Sequence, residues 1–133
     1  MAKDLKAAID RIRAKDPGFR EEAYVFLLQS LDVTLERIGE KRHVTGRELL
    51  EGVRELALHR YGPTARMVFE HWGLRATEDF GRIVFRFVEE GILSKTEADS
   101  IEDFTGVFDF RRVFEEEYSW TADMDVPKRR LRV

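Results

Sequence analysis

Val44–Ile92 reads VTGRELLEGVRELALHRYGPTARMVFEHWGLRATEDFGRIVFRFVEEGI, and three helix-length apolar repeats follow one another in it. Thr45-Gly46-Arg47-Glu48 has the T-x-x-E spacing of a capping box, in which the threonine hydroxyl accepts from the third helical N–H and the glutamate accepts from the cap's own N–H. Leu49, Leu50, Val53, Leu56 and Ala57 then recur at helical spacing as a buried stripe. Gly62-Pro63 stops this helix, and the fixed φ of proline suits the first position of the next. That next helix is short, with Ala65, Val68, Phe69 and Trp72 on its apolar face and Gly73 as a left-handed stop. Thr77 is expected to cap the third repeat, with Glu78 and Asp79 in the first turn where the helix dipole favours acids. Phe80, Ile83, Val84, Phe87 and Val88 form its stripe, and Gly91 followed by Ile92 matches a Schellman stop.

Upstream, Leu5, Ala8, Ile9 and Ile12 predict a short helix over 4–14 that ends before the turn tripeptide Asp16-Pro17-Gly18. From Arg20 to about Glu40, Tyr24, Leu27, Leu28, Leu31, Leu35 and Ile38 predict one face of a long helix. Downstream, Ser94-Lys95-Thr96-Glu97 reads as a second capping box opening a short helix toward Ile101. Phe104 to Phe110 leaves a brief extended segment open, and Phe110, Val113 and Phe114 predict a closing helix to about Tyr118. The expectation is a mostly α fold: a compact bundle of six or seven short to medium helices in one domain over 1–118, then a flexible tail over 119–133 with a basic end.

Composition supports a domain that folds unaided. At 133 residues a chain buries roughly two-thirds of its unfolded surface, and ten phenylalanines with 43% apolar residues supply the core. Without cysteine there is no disulfide, thiolate nucleophile or cysteine zinc site, which suits a cytoplasmic protein. Neither a secretory leader nor an apolar run long enough to span a membrane is expected. The net charge of −3 hides an asymmetry, because Lys128, Arg129, Arg130 and Arg132 crowd the last six positions. The remainder carries 19 basic and 26 acidic residues, a net −7, and such a body repels nucleic acid except through the tail.

No complete catalytic or metal-binding motif assembles. His43, His59 and His71 lack the spacing that puts two imidazoles on one helical face, so no metal and no cofactor is assigned. Asp79-Phe80-Gly81 matches the kinase magnesium tripeptide, yet no glycine-rich phosphate loop, strand lysine or HRD accompanies it. It reads instead as a first-turn acid, a core ring and a glycine that admits a close neighbour. Acid pairs such as Glu89-Glu90 point ~100° apart on a helix and read as solvated faces. Phe85 lies off its helix's stripe, so that helix is apolar around much of its circumference.

Val44–Leu50, Gly62-Pro63-Thr64-Ala65, His71-Trp72-Gly73, Asp79–Phe85 and Asp103-Phe104 together resemble a small bacterial family to which no activity is attached. The resemblance covers about residues 8–118 and implies a free-standing cytoplasmic domain. Gly81-Arg82-Ile83-Val84, followed by Phe104–Phe110 and Val113-Phe114, is similar in order to the last helices and aromatic closing segment of ATP-cone domains, which sense adenine nucleotides. A cone begins with a basic strand that contacts the nucleotide, whereas this chain places the helix Arg20 to Glu40 ahead of the matching region, and the basic corner of Lys41, Arg42 and His43 is the substitute phosphate contact that the similarity requires. The chain therefore reads as a non-enzymatic helical interaction or regulatory module for a protein partner or a second copy, with Phe85 and Trp120 as contact residues. An adenine-nucleotide sensor is the alternative. Nucleic-acid contact through Lys128, Arg129, Arg130 and Arg132 is a third reading. It requires binding that weakens steeply with salt and vanishes when the last six residues are removed, measured by fluorescence anisotropy on a labelled oligonucleotide.

Overall fold

The computed structural model describes residues 2–118, with side chains from Leu5 onward. The chain is mostly helical, and no strand occurs among the described residues. Five α-helices form: α1 (Ala2–Lys15), α2 (Glu21–Ile38), α3 (Gly46–Tyr61), α4 (Ala65–His71) and α5 (Thr77–Glu89). A 3-10 turn (Gly62–Thr64) joins α3 to α4, a second (Ile101–Phe104) follows α5, and one π-helical turn (Arg112–Glu116) comes last.

Local signals set most boundaries. At the start of α3 the Glu48 N–H donates to Thr45 Oγ1 at 3.1 Å and the Thr45 N–H donates to Glu48 Oε1 at 3.0 Å. Two helices end in Schellman hydrogen bonds around a glycine of positive φ. After α4, Gly73 (φ +94°) donates to Glu70 O and Leu74 to Phe69 O; after α5, Gly91 (φ +76°) donates to Val88 O and Ile92 to Phe87 O. Gly73 also sits under the turn between α1 and α2, where a Cβ would collide with the Gly18 carbonyl oxygen, and the Arg20 N–H donates to Trp72 O at 3.0 Å.

Two expected helix starts are corrected. Thr77 is the first helical residue of α5, and Ala76 holds the cap position. Alanine has no side-chain acceptor, so only half of a capping box forms, with Asp79 accepting from the Ala76 and Arg75 N–H groups. The Ser94–Glu97 signal opens no helix, because Ile101, the residue such a helix would have to bury, stands 44% exposed. A short helix with no face to bury does not recover its nucleation cost. Capping happens six residues later, where Glu102 N–H donates to Ser100 Oγ and Ser100 N–H to Asp103. Residues 104–110 form no strand. Their backbone is held by the buried Thr77 hydroxyl, which donates to Phe104 O at 2.6 Å and accepts from the Val107 N–H at 3.2 Å. The closing segment is helical over 110–116, ending in the π-helical turn, and buries Phe110, Val113 and Phe114. Among the described residues the bundle has five α-helices where six or seven short to medium helices were expected.

The core face of α2 is also rotated. Ala23, Tyr24, Phe26, Leu27, Ser30 and Thr34 are buried, whereas Leu28, Leu31, Leu35 and Ile38 are half-buried. The two hydroxyls satisfy themselves on their own helix, Ser30 Oγ donating to Phe26 O at 2.9 Å and Thr34 Oγ1 to Ser30 O at 2.8 Å, so their burial costs little. They face Gly52 of α3, where a Cβ would stand 2.8 Å from Ser30 O and closer still to Thr34 Oγ1. Beside this crossing, Phe69 of α4 meets Phe26, Phe80, Phe110 and Phe114 at centroid distances of 5.2–5.6 Å, all edge to face. Gly52→Ala should destabilise the fold by ~1–3 kcal/mol through overpacking. Adding Thr34→Ala should return part of that loss, as denaturant unfolding of the double-mutant cycle would show.

Candidate functional site

Rotation of α2 leaves Leu31 and Leu35 facing a cleft of about 210 Å³ between α2, α3, α5 and the loops on either side. Its floor is apolar: Leu31 and Leu35 from α2, Leu49 from α3, Val84 and Phe85 from α5, then Leu93 and Phe104. The Phe104 ring lies against Gly81, where a Cβ would come within 2.8 Å of it, and so the 3-10 turn closes one wall. The rim is polar, with Arg42, His43 and Thr45 on one lip and Lys95, Asp99 and Asp103 on the other.

Most rim charges are already engaged. Arg42 makes a two-pronged contact with Glu48, Nη2 to Oε2 at 2.7 Å and Nη1 to Oε1 at 3.2 Å. Its Nη1 also donates to His43 O, and Glu40 lies 3.3 Å from Nε. The Arg42 guanidinium and then the Thr45 N–H hold the Glu48 carboxyl at about 2, well below its ordinary 4.5. Across the mouth, His43 Nε2 lies 2.9 Å from Asp99 Oδ2, tying together the two loops that form the lips. Burial pushes the Asp99 carboxyl up, but the Thr96 N–H and the His43 ring together outweigh it and leave the carboxyl below its usual range. Lys95 makes no hydrogen bond or ion pair among the described residues.

The basic corner expected at Lys41, Arg42 and His43 is divided. Arg42 and His43 line the cleft; Lys41 is exposed and does not. Phe85, expected as a contact residue, is half-buried on the same floor, some forty positions from His43 in sequence. Lys95, Asp99 and Asp103 carry no site signal in the sequence, whose periodicity places Leu31 and Leu35 on the core stripe. Trp120, Lys128, Arg129, Arg130 and Arg132 lie outside the described residues. The His43–Asp99 pair orients an imidazole, yet Ser94 on the same rim makes no hydrogen bond to it among the described residues, so no serine nucleophile is assembled. Among the described residues no group of three or more His, Asp or Glu side chains is placed to hold a metal ion, and no helix is long and apolar enough to cross a membrane. The arrangement can seat an apolar group and order polar contacts around it. No protein-family model, curated protein or solved structure matches the chain.

The Glu48 carboxyl links this rim to acid stability. Its folded-state value lies below its unfolded one, so its contribution is present above about pH 4.5 and is lost as pH falls toward 2. Thermal unfolding followed from pH 6 to about pH 2 should therefore show a shallower acid decline in Glu48→Gln than in the parent, together with a lower melting temperature at neutral pH.

Proposed function

We propose that this protein is a non-enzymatic interaction module whose cleft receives an apolar side chain from a protein partner. The observation that carries the reading is the match of size and chemistry. A closed apolar cavity of ~150 Å³ accommodates a benzene ring, while small-molecule sites usually occupy ~300–1,000 Å³. At about 210 Å³ the cleft suits one aromatic or branched aliphatic side chain. An apolar floor inside a polar rim is also the arrangement of an interface anchor, where surrounding polar contacts exclude water from a central buried group. Phe85 supplies the floor, and Lys95 is a rim cation open to an acidic neighbour of the anchor.

The resemblance to ATP cones supplies the competing occupant. In a nucleotide reading, phosphates would need cations on the rim. Arg42 is already neutralised by Glu48 and Glu40 and His43 is tied to Asp99, which leaves Lys95 as the rim cation without a partner among the described residues.

Two measurements separate the occupants. A photo-reactive amino acid replacing Phe85 should give a discrete cross-linked product in cells, whereas one replacing Glu51, exposed on the far side of α3, should give none. A product at twice the mass of the chain would identify a second copy as the partner. Thermal unfolding against ATP and dATP, with and without magnesium, should show no selective shift. The proposal fails if position 85 gives no product while a nucleotide at 100 times its dissociation constant adds about 2.7 kcal/mol.

A further inference from the structure

The turn between α1 and α2, the Gly73 stop and the start of α5 enclose a second concavity of about 420 Å³, distinct in its residues from the cleft. Three arginines line it, Arg75, Arg82 and Arg86. Arg82 and Arg86 are one turn apart on α5 and share a face, while Arg75 comes from the loop before that helix. Asp16 and Asp79 line the same space, and both are already engaged. Asp79 accepts from the Arg75 and Ala76 N–H groups at 2.8 and 3.3 Å and from Arg82 Nη1 at 2.6 Å. Asp16 pairs with Arg86 Nη2 and accepts from the Gly18 N–H. Three cations thus face two carboxylates, in a protein whose body is otherwise strongly acidic.

The donors are far from exhausted. Arg75 makes no side-chain hydrogen bond or ion pair among the described residues, and Arg82 has committed one terminal nitrogen while remaining 56% exposed. Arg86 is more enclosed. Its guanidinium stacks 5.3 Å above the Phe19 ring and pairs through Nη2 with Asp16, and its electrostatic neighbour on the core side is the buried Tyr24 hydroxyl. The planar guanidinium fork of Arg75 and Arg82 matches oxyanions. A carboxylate ligand brings two oxygens and one charge. A phosphate monoester brings three acceptor oxygens and roughly −1.5 to −2 charges, which suits donors arriving from two separate segments. The dipole at the start of α5 is not the attraction, since the Asp79 carboxylate already occupies it.

We propose that this concavity binds the phosphate group of a small phosphorylated molecule, with Arg75 and Arg82 as contacting side chains and Arg86 held behind them by Asp16 and Phe19. Its volume leaves room for a small organic body beyond the phosphate. Inorganic phosphate titrated into the full chain at constant ionic strength, followed by backbone amide NMR, should give saturable shifts at Gly18, Gly73, Arg75 and Arg82. Gly46 and Leu93, at the cleft, should stay still. Phenyl phosphate should bind more tightly than inorganic phosphate. Arg75→Ala and Arg82→Ala, both at exposed positions, should each weaken binding about tenfold. Shifts that never saturate, that sodium chloride reproduces, or that persist unchanged in both variants overturn the assignment. A phosphoserine peptide that binds more tightly than phenyl phosphate overturns the small-molecule part of it.

Discussion

The contact of Gly52 with Ser30 and Thr34 is the constraint on which the site depends. Because α3 presents no side chain there, α2 turns its two hydroxyls inward and approaches α3 at backbone distance. Both hydroxyls are satisfied by carbonyls one turn back, so the crossing buries polar atoms without orphaning them. The same rotation carries Leu31 and Leu35 off the core and onto the wall of the cleft. A larger residue at 52 would push the helices apart and alter the floor as well as the core.

A second set of contacts closes the other side. Phe69 reaches from a helix of only seven residues into the middle of the aromatic cluster and touches rings from α2, α5 and the closing segment. Edge-to-face pairs of this kind contribute ~0.5–1.5 kcal/mol each beyond the area they bury, enough to hold a segment that is helical only over 110–116. Thr77 and Gly81 then act together on the residues after α5. The threonine hydroxyl bridges the backbone at Phe104 and Val107, and the glycine gives the Phe104 ring its seat. The far wall of the cleft, the 3-10 turn and the loop after it, is therefore pinned by α5.

Charge is spent differently at the two concavities. At the cleft, Arg42 is matched by Glu48 and Glu40 and His43 by Asp99, which leaves an apolar floor with Lys95 at its edge. Beside the start of α5, arginines outnumber carboxylates. Surface ion pairs of the first kind typically add only ~0–1 kcal/mol of stability, so their main effect is to fix the lips and remove free cations from the rim.

What the sequence by itself determined lies within five residues of each signal. The capping box at Thr45 and Glu48, the stops at Gly73 and Gly91, and the stripes of α3 and α5 are all legible because hydrogen bonds and side-chain neighbours in a helix run from i to i+3, i+4 or i+5. Lines of apolar residues also revealed that Phe85 was out of place on its helix, and the basic corner at Arg42 and His43 was visible as composition. Only the tertiary structure decided that Phe85, Arg42 and His43 border one cleft, that Lys95, Asp99 and Asp103 complete it, and that Arg75, Arg82 and Arg86 meet the Asp16 turn. Tertiary packing also chose the inward face of α2 against its own leucine stripe, and it denied Ser94–Glu97 the helix that its spacing announces. The physical reason is common to these cases. A local signal states which hydrogen bonds a segment is able to make, whereas burial depends on what a distant segment places opposite, and here that was a glycine at 52, while Ile101 was left 44% exposed.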